Sequence, residues 1–248
     1  QLVIRDSLRD LGLRNFGEYY NYLRFDSNRD KELNVFYEHM TTNETSFFRN
    51  GPQLDIFRDK VLMKVIEEAR SKGQKKLRIW SAGCSSGEEP YTLAMIIYEV
   101  LKQEVPSLDI KITANDLSLA MLAAARRGVY NDYAIRTTPK EMLDKYFTPE
   151  GHHLYRIDPK LAKLISFGQI NLNDKIQLGK VERSQIVFCR NVIIYFDDEM
   201  KKSVINAFYD NLLPGGYLLI GHSESLHNIS RAFKPEHYAG SIVYCKQS

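Results

Sequence analysis

Cysteine is scarce in this sequence and never occurs in a ligand-like pair. The three cysteines, Cys84, Cys189 and Cys245, are far apart in the 248 residues, and no Cys-x-x-Cys pair is present. We therefore expect neither a disulfide framework nor a zinc site, and we place the protein in a reducing compartment, the cytoplasm. The adjacent His152 and His153 have no partners at ligand spacing, so we expect no metal site.

The sequence also lacks a long apolar run and a strong excess of one charge. No stretch approaches the roughly 18 apolar residues that cross a bilayer, and no secretory signal pattern is present, so we expect no membrane insertion. The formal net charge of +3 is too small to indicate a nucleic-acid partner. We expect a monomer. Because the chain starts at Gln1 inside a helical pattern, we also expect that some N-terminal sequence has been removed.

Two hydrophobic patterns divide the chain. Up to about residue 76 the apolar spacing is helical, which predicts an N-terminal helical domain over 1–50 and a linker helix over 51–76. From residue 77 onwards strands and helices alternate, which predicts an α/β fold with a mostly parallel sheet and helices on both faces. The predicted strands are 77–81, 109–114, 186–190, 217–221 and 241–245, and the predicted helices are 89–103, 118–127 and 198–212.

Residues 131–175 interrupt this alternation. Pro139, Pro149 and Pro159 divide the stretch, and its apolar patches are short. We expect a helix near 139–146, followed by a small strand-containing insertion.

The segment 79–91, Ile-Trp-Ser-Ala-Gly-Cys-Ser-Ser-Gly-Glu-Glu-Pro-Tyr, joins an apolar strand to a helix through a glycine-containing turn. Such a corner binds nucleotide-like ligands, because glycine lets the backbone approach the ligand closely. Glu88 and Glu89 follow the turn and would repel a pyrophosphate. A ligand with a cationic group or free hydroxyls is favoured, so we expect S-adenosylmethionine rather than NAD or ATP, with Glu88 as the contact of the two carboxylates.

Two further strand ends place polar side chains at the same edge of the predicted sheet. Asp116 follows the second strand, where an acidic residue typically binds ribose hydroxyls. Capping of the helix that starts at Ser118 is an alternative role. Arg190, Asn191 and Tyr195 follow the strand at 186–190, where ligands of open α/β sheets bind. Arg and Asn at the end of a buried strand need polar partners, which a ligand would supply, although a structural role for Arg190 is equally open.

The segment from Thr41 to Arg49 lies between predicted helices and is rich in helix-capping residues. Asn43, Thr45 and Arg49 fit an ordinary capped helix start. A helical module ahead of a nucleotide-binding domain could instead fold this segment across the cofactor as a lid.

Six motifs occur together in a characteristic order. They are Asn-x-Thr-x-Phe-Phe-Arg (43–49), Trp-Ser-Ala-Gly-Cys-Ser-Ser-Gly-Glu-Glu-Pro-Tyr (80–91), Ala-Asn-Asp (114–116), Asn-Leu (171–172), Cys-Arg-Asn-Val-Ile-Ile-Tyr-Phe (189–196) and Gly-His-Ser-Glu (221–224). As a set covering nearly the whole chain they resemble the chemotaxis receptor methyltransferase family, CheR. The resemblance implies a Rossmann-like methyltransferase domain over 77–248 with an inserted β-subdomain at about 148–170, preceded by an N-terminal all-α domain.

The resemblance also implies the activity, cofactor and partner. In the family, S-adenosylmethionine donates a methyl group to glutamate side chains on the cytoplasmic helical domains of chemoreceptors, the methyl-accepting chemotaxis proteins. The products are methyl esters, which serve chemotactic adaptation, and S-adenosylhomocysteine.

Motif matching then assigns roles to individual residues. The implied cofactor-binding residues are Asn43, Thr45, Arg49, Gly83, Glu88, Asp116, Asn171, Leu172, Arg190 and Asn191, and the implied catalytic residues, nearest the methyl group, are Arg49 and Tyr195. The chain departs from the family pattern at Ser118, where a second acidic residue is common, so we expect an altered ribose contact. Gly83 and Cys84 vary a turn that is usually rich in alanine.

Simple chemistry agrees with this assignment. A glutamate side chain has an unperturbed pKa of about 4.3, so the acceptor is already a carboxylate at neutral pH and needs no general base. Catalysis then consists mainly of alignment and exclusion of water. An arginine can hold a carboxylate through two hydrogen bonds, and a tyrosine can orient an oxygen or face a sulfonium, which suits Arg49 and Tyr195.

Two alternative functions remain open. The first is methylation of a nucleic acid or a small molecule, which the modest charge and the absence of an Asn/Asp-Pro-Pro-Tyr/Phe motif disfavour. The second is a non-catalytic S-adenosylmethionine-binding signalling module. Such a module would be expected to keep the glycine turn and lose Arg49 and Tyr195, yet both are present.

Overall fold

The computed structural model describes residues 2–40 and 44–247, and it begins with a small group of packed helices. These are α1 (Leu2–Asp10), α2 (Phe16–Phe25) and α3 (Arg29–Met40). Asn15 caps α2, since its side-chain oxygen accepts the Glu18 backbone N–H at 3.0 Å. The buried Tyr19 hydroxyl donates to the Glu32 carboxylate at 2.7 Å and joins α2 to α3.

A continuous helical stretch leads from these helices into the body of the protein. Helix α4 (Gly51–Ile56) continues through a π-helical turn (Phe57–Leu62) into α5 (Met63–Ser71). Phe57 is fully buried, and its ring meets that of Phe188 edge to face, with the centroids 5.1 Å apart. The predicted linker helix is therefore a layer packed against the sheet.

The remaining strands and helices alternate along the chain. The strands are β1 (Lys76–Ala82), β2 (Asp109–Asp116), β3 (Val129–Asn131), β4 (Phe147–Pro149), β5 (Leu154–Ile157), β6 (Ile165–Gln169), β7 (Ser184–Cys189), β8 (Leu212–Ile220), β9 (Phe233–Tyr238) and β10 (Ser241–Lys246). The helices are α6 (Glu88–Leu101), α7 (Leu119–Arg127), α8 (Asp132–Ile135), α9 (Lys140–Tyr146), α10 (Pro159–Ala162), α11 (Lys175–Leu178) and α12 (Asp198–Asn211). Short 3-10 turns follow α6 (Lys102–Ser107) and β7 (Ile193–Tyr195).

Within the described part of the chain, the main sheet has seven strands in the order β6-β2-β1-β7-β8-β10-β9. The first five strands in this order are parallel, and β10 pairs antiparallel with β8 and β9. The mostly parallel α/β sheet is therefore confirmed. The sequence patterns did not predict β6 and β9, because both are edge strands that alternate buried and exposed positions only weakly.

The expected boundaries of the insertion at 148–170 need correction. A separate small sheet has the order β3-β5-β4, so its first strand lies well before residue 148. The later part of that range, β6, pairs with β2 in the main sheet, with Ala114 opposite Phe167. Short apolar patches do not reveal which sheet a strand joins, because partner choice depends on long-range pairing.

Helices cover both faces of the central strands, which explains their apolar runs. On one face Ile79 and Ile186 belong to a core that includes α6 and the stretch from α4 to α5. On the other face Trp80 meets Phe208 of α12 edge to face, with the ring centroids 5.1 Å apart. No helix among residues 2–40 and 44–247 combines the length and apolar character needed to cross a membrane.

Candidate active site

A cavity of about 440 Å³ opens at the carboxyl ends of β1, β2 and β7. Ligands of open α/β sheets bind at this edge, because the loops that follow the strands diverge there. The cavity brings together most of the residues expected at the site. Those that line it are Thr45, Arg49, Gly83, Asp116, Asn171, Leu172, Arg190, Asn191 and Tyr195.

Two expected residues are not part of the observed wall. Asn43 lies outside the described residues. Glu88 is buried, and of the adjacent pair Glu88 and Glu89 it is Glu89 that lines the cavity. The Glu88 carboxylate instead accepts the Ser86 hydroxyl, with both oxygens at 2.8 Å. Adjacent helix residues point about 100° apart, so only one of the two carboxylates can face the cavity.

The turn after β1 depends on glycine at position 83. Gly83 has a φ of 79°, and a Cβ there would lie 2.4 Å from Cγ2 of Val192. The Gly83 and Cys84 N–H groups both donate to the Asn115 carbonyl of β2, at 2.8 and 2.9 Å. Gly83 and Cys84 both line the cavity, and a position without a side chain lets a nucleoside-like ligand approach the backbone.

Asp116 is fixed at the end of β2 by backbone donors. Its Oδ2 accepts the Ser85 N–H at 2.7 Å, and its Oδ1 accepts the Ser118 N–H at 2.9 Å. Ser118 itself caps α7 by accepting the Met121 N–H, so the capping role considered for Asp116 belongs to Ser118. Burial raises the pKa of Asp116, which the backbone hydrogen bonds oppose. A carboxylate has about four acceptor positions, so the backbone donors do not use all of them.

Glu89 lies in a buried polar cluster on the floor of the cavity. Its Oε1 accepts the Ser81 hydroxyl at 2.7 Å, and its Oε2 lies 3.3 Å from Nη1 of Arg190. The side chains are 13% and 5% exposed, so the pair is largely desolvated. Burial raises the pKa of Glu89, while Arg190 and Ser81 oppose that shift.

Arg190 connects this floor to the segment above the cavity. Its Nη2 donates to the backbone carbonyl of Arg49, while its buried Nε has no hydrogen-bond partner among the described residues. A buried guanidinium donor without a partner is costly, so a ligand acceptor at this point would stabilise the site.

Residues 44–49, which we call the lid, cross one side of the cavity. Phe48 and Asn50, with φ of 53° and 60°, flank Arg49 in the left-handed region. Such strain persists only where surrounding contacts hold it. Here the Phe48 N–H donates to the Thr92 hydroxyl of α6 at 3.1 Å.

The lid is also anchored to the segment that carries the small sheet. The buried Phe47 ring meets those of Tyr130 and Phe147 edge to face, with centroids 4.7 and 5.0 Å apart. The Phe47 N–H donates to the Ala134 carbonyl at 3.0 Å, and its carbonyl accepts the Thr137 hydroxyl at 2.6 Å. The lid and the inserted segment therefore form one packed unit.

The guanidinium of Arg49, which is expected to bind the acceptor, is already bound by a residue of the lid, Glu44. Arg49 Nη1 donates to the Glu44 carbonyl at 2.7 Å, and its Nη2 lies 3.4 Å from Glu44 Oε2. Glu44 Oε1 lies 3.1 Å from Arg136 Nη2 and 3.4 Å from the Tyr133 hydroxyl. The sequence motif contained Glu44 without indicating this contact.

The cavity wall combines apolar and polar surface. Leu117, Ile170 and Leu172 supply apolar surface next to Asn171, which suits a flat heterocycle. Tyr195 also lines the cavity and is 61% exposed, so its side chain is accessible to solvent.

These features together fit S-adenosylmethionine. Gly83 in the cavity wall, the Asp116 carboxylate and the apolar surface around Leu172 match a nucleoside. The carboxylate of Glu89 and the unpaired Nε of Arg190 match the ammonium and carboxylate groups of an amino-acid tail. Of the two adjacent glutamates, Glu89 is the one that lines the cavity.

Comparison with known proteins gives the same cofactor. Residues 43–240 match the family model described as "CheR methyltransferase, SAM binding domain". Chemotaxis protein methyltransferase 2 of Vibrio cholerae is 34% identical, over 94% of this chain and 79% of that protein. The chemotaxis protein methyltransferase of Borreliella burgdorferi is 37% identical over 91% of this chain and 81% of its own length.

A third relative, chemotaxis protein methyltransferase 1 of Pseudomonas aeruginosa, is 38% identical over 94% of this chain and 81% of that protein. These matches extend over both the helical segment and the sheet, and they agree with the resemblance carried by the six motifs. The chain belongs to the CheR methyltransferase family and is an S-adenosylmethionine-dependent methyltransferase.

Proposed function

We propose that this enzyme transfers the methyl group of S-adenosylmethionine to glutamate side chains on the cytoplasmic helical domains of chemoreceptors, forming methyl esters. The names of the relatives support a role in chemotaxis. The acceptor class is supported by the site itself, where Arg49 and the exposed Tyr195 both line the cavity.

The observation that carries this proposal is the contact between Arg49 and Glu44. In the structure Arg49 already pairs with the carboxylate of a glutamate side chain, at 3.4 Å. The proposed acceptor has the same functional group, so the local geometry and charge at Arg49 suit it. An incoming glutamate would replace Glu44 as the partner of this guanidinium.

The reaction needs no general base, since a glutamate with a pKa of about 4.3 is already ionised at neutral pH. S-adenosylmethionine supplies an electrophilic methyl group on a sulfonium. Arg49 orients the acceptor carboxylate through its planar donor pair, and Glu89 with Arg190 holds the amino-acid tail of the cofactor on the floor of the cavity. Tyr195 shields the opening and orients the second acceptor oxygen.

The proposal also includes the domain organisation of the chain. We assign 1–50 to a helical domain, 51–76 to a linking helix and 77–248 to the methyltransferase domain, which acts as a monomer. The small sheet of β3, β4 and β5 supports the lid through Phe47.

Incubation with methyl-labelled S-adenosylmethionine and receptor-containing membranes tests the acceptor. We expect label in the receptor band that alkali releases as methanol, because methyl esters hydrolyse in base. Arg49→Ala serves as the matched inactive control. Label that survives alkali would indicate N-methylation and would exclude the proposed ester.

A further inference from the structure

The loop after β7 is held by a carboxylate that lies outside the cavity wall. Glu224 Oε2 accepts the N–H groups of Asn191 at 3.0 Å and Gly221 at 2.6 Å. Its Oε1 accepts those of Val192 at 3.1 Å and Ile194 at 3.2 Å. One side chain thus binds four backbone donors from the ends of two neighbouring strands.

These donors need an acceptor because the backbone has left the sheet. Asn191 has a φ of 59°, and the 3-10 turn Ile193–Tyr195 closes its first internal bond only at the Tyr195 N–H, which donates to the Val192 carbonyl. The first N–H groups of any helical turn lack internal partners. Convergent N–H groups form a concavity for an anion, and here the anion is Glu224.

The residue at position 221 is suited to this arrangement. A Cβ on Gly221 would lie 2.7 Å from Glu224 Oε2 and 3.0 Å from the Asn191 nitrogen. Glycine therefore lets the carboxylate approach the loop. Its own carbonyl accepts the Glu224 N–H at 2.9 Å, which closes the turn.

The loop that Glu224 holds carries four of the residues that line the cavity. Arg190 precedes the bonded stretch and reaches Glu89 and the lid, Asn191 and Val192 lie within it, and Tyr195 ends it. A displacement of this loop would move these residues together.

We propose that Glu224 is a positioning residue for methyl transfer, which fixes Asn191 and Tyr195 in their working places through the backbone of the loop. This inference rests on the proposed function, because it takes Tyr195 as part of the acceptor site. Glu224 acts through backbone donors and does not itself contact the reacting groups.

Glu224→Gln tests the proposal with little change of shape. The glutamine amide has one acceptor oxygen and one NH₂ donor. Some of the four backbone N–H groups would therefore face the NH₂ group and lose their hydrogen-bond acceptor. We expect kcat/KM to fall about 10- to 100-fold, as a small misplacement of aligned groups produces. Glu67→Gln, at an exposed carboxylate of α5, is the control and should stay within twofold of the unmodified enzyme.

Hydrogen exchange read by mass spectrometry separates positioning from general stability. In E224Q we expect faster exchange in peptides covering 189–196 and 219–224, with unchanged exchange in β1 and β2. Gly221→Ala places a methyl group against the Glu224 carboxylate and should cause the same local increase in exchange. Unchanged exchange in the loop, or a kcat/KM within twofold of E67Q, overturns the proposal. Faster exchange throughout the sheet also overturns it, since Glu224 would then support the fold in general.

The two proposals fail in different ways. If the unmodified enzyme forms no base-labile label on receptors, the proposed function fails. Loop exchange and the affinity for S-adenosylhomocysteine, measured by calorimetry, would still report on Glu224. We expect E224Q to weaken S-adenosylhomocysteine binding at least threefold, because Asn191 lines the cavity, and an unchanged affinity would contradict its positioning role there.

Discussion

Glu44 lies between Arg49 and Arg136, and its two carboxylate oxygens are divided between them, at 3.4 and 3.1 Å. The Glu44 side chain is 52% exposed, so these contacts are in reach of solvent and are weak individually. The arrangement places an internal carboxylate where the proposed acceptor would bind.

Glu44→Gln should make receptor binding easier. The amide keeps the size of the side chain but removes the charge that competes for Arg49. We expect the receptor KM to fall about two- to fivefold with kcat unchanged, corresponding to roughly 0.5–1 kcal/mol for an exposed pair. Glu150→Gln, which breaks the exposed Arg156 pair elsewhere, is the matched control. A higher receptor KM in E44Q would show that Glu44 assists acceptor binding.

Arg49→Ala should reduce turnover strongly. The variant loses the guanidinium that orients the acceptor, and we expect kcat/KM for receptor to fall about 100-fold or more. Arg49→Lys should restore only part of this loss, because lysine lacks the planar donor pair. Steady-state kinetics with receptor membranes measure both variants. Full turnover in R49A would remove Arg49 from the mechanism.

Glu89 and Glu88 should respond differently to the same substitution. Glu89→Gln removes a charge from the cavity floor and leaves Arg190 without its ionic partner. We expect about a 10- to 100-fold weaker affinity for S-adenosylhomocysteine, in line with 1.5–3 kcal/mol for a hydrogen bond to a charged group. Glu88→Gln should change the affinity by less than about twofold, because its carboxylate faces Ser86. Calorimetry measures both, and the reverse order would restore Glu88 as the contact.

Cofactor affinity should weaken in acid through Glu89. Burial raises the pKa of Glu89, so this group takes up a proton at a higher pH than an ordinary carboxyl group. Only the ionised form attracts the ligand's ammonium group. Binding is therefore strongest above the raised pKa and weakens as the pH falls through it. Titrations of S-adenosylhomocysteine at several pH values should show this decline in the unmodified protein and a flatter profile in E89Q.

Gly83→Ala should destabilise the turn below the cofactor. The new methyl group meets Val192 at 2.4 Å, and the positive φ is unfavourable for alanine. We expect a loss of about 1–3 kcal/mol in the free energy of unfolding. Adding Val192→Ala should recover the part due to the clash but not the backbone strain. Denaturant titrations of both variants measure the two parts, and a stable single variant would contradict the close packing.

Much of the fold could be predicted because the central strands are buried on both faces. Val187 lies in the continuous apolar run of β7, and the buried Ile79 and Ile112 lie in the shorter apolar patterns that mark β1 and β2. The edge strands gave weaker patterns. The split of residues 129–169 between two sheets depends on which partners β5 and β6 find, and local sequence does not encode that choice.

The lining of the cavity could be predicted wherever the motif and the strand end coincide, as at Asp116 and Arg190. The motifs could not show which of Glu88 and Glu89 lines the cavity, because the difference is a rotation of one residue about a helix axis. The contacts of Glu44 and Glu224 were also beyond prediction. Each joins segments distant in sequence, Glu44 to Arg136 and Glu224 to the loop after β7.

The burial of Phe47 restricts how the cofactor can be exchanged for its product. Its ring is wedged between Tyr130 and Phe147, so the lid cannot swing away by itself without exposing an aromatic core. Opening the lid would therefore require the inserted segment with Tyr130 and Phe147 to move with it, so the rate of cofactor exchange is coupled to the stability of the small sheet.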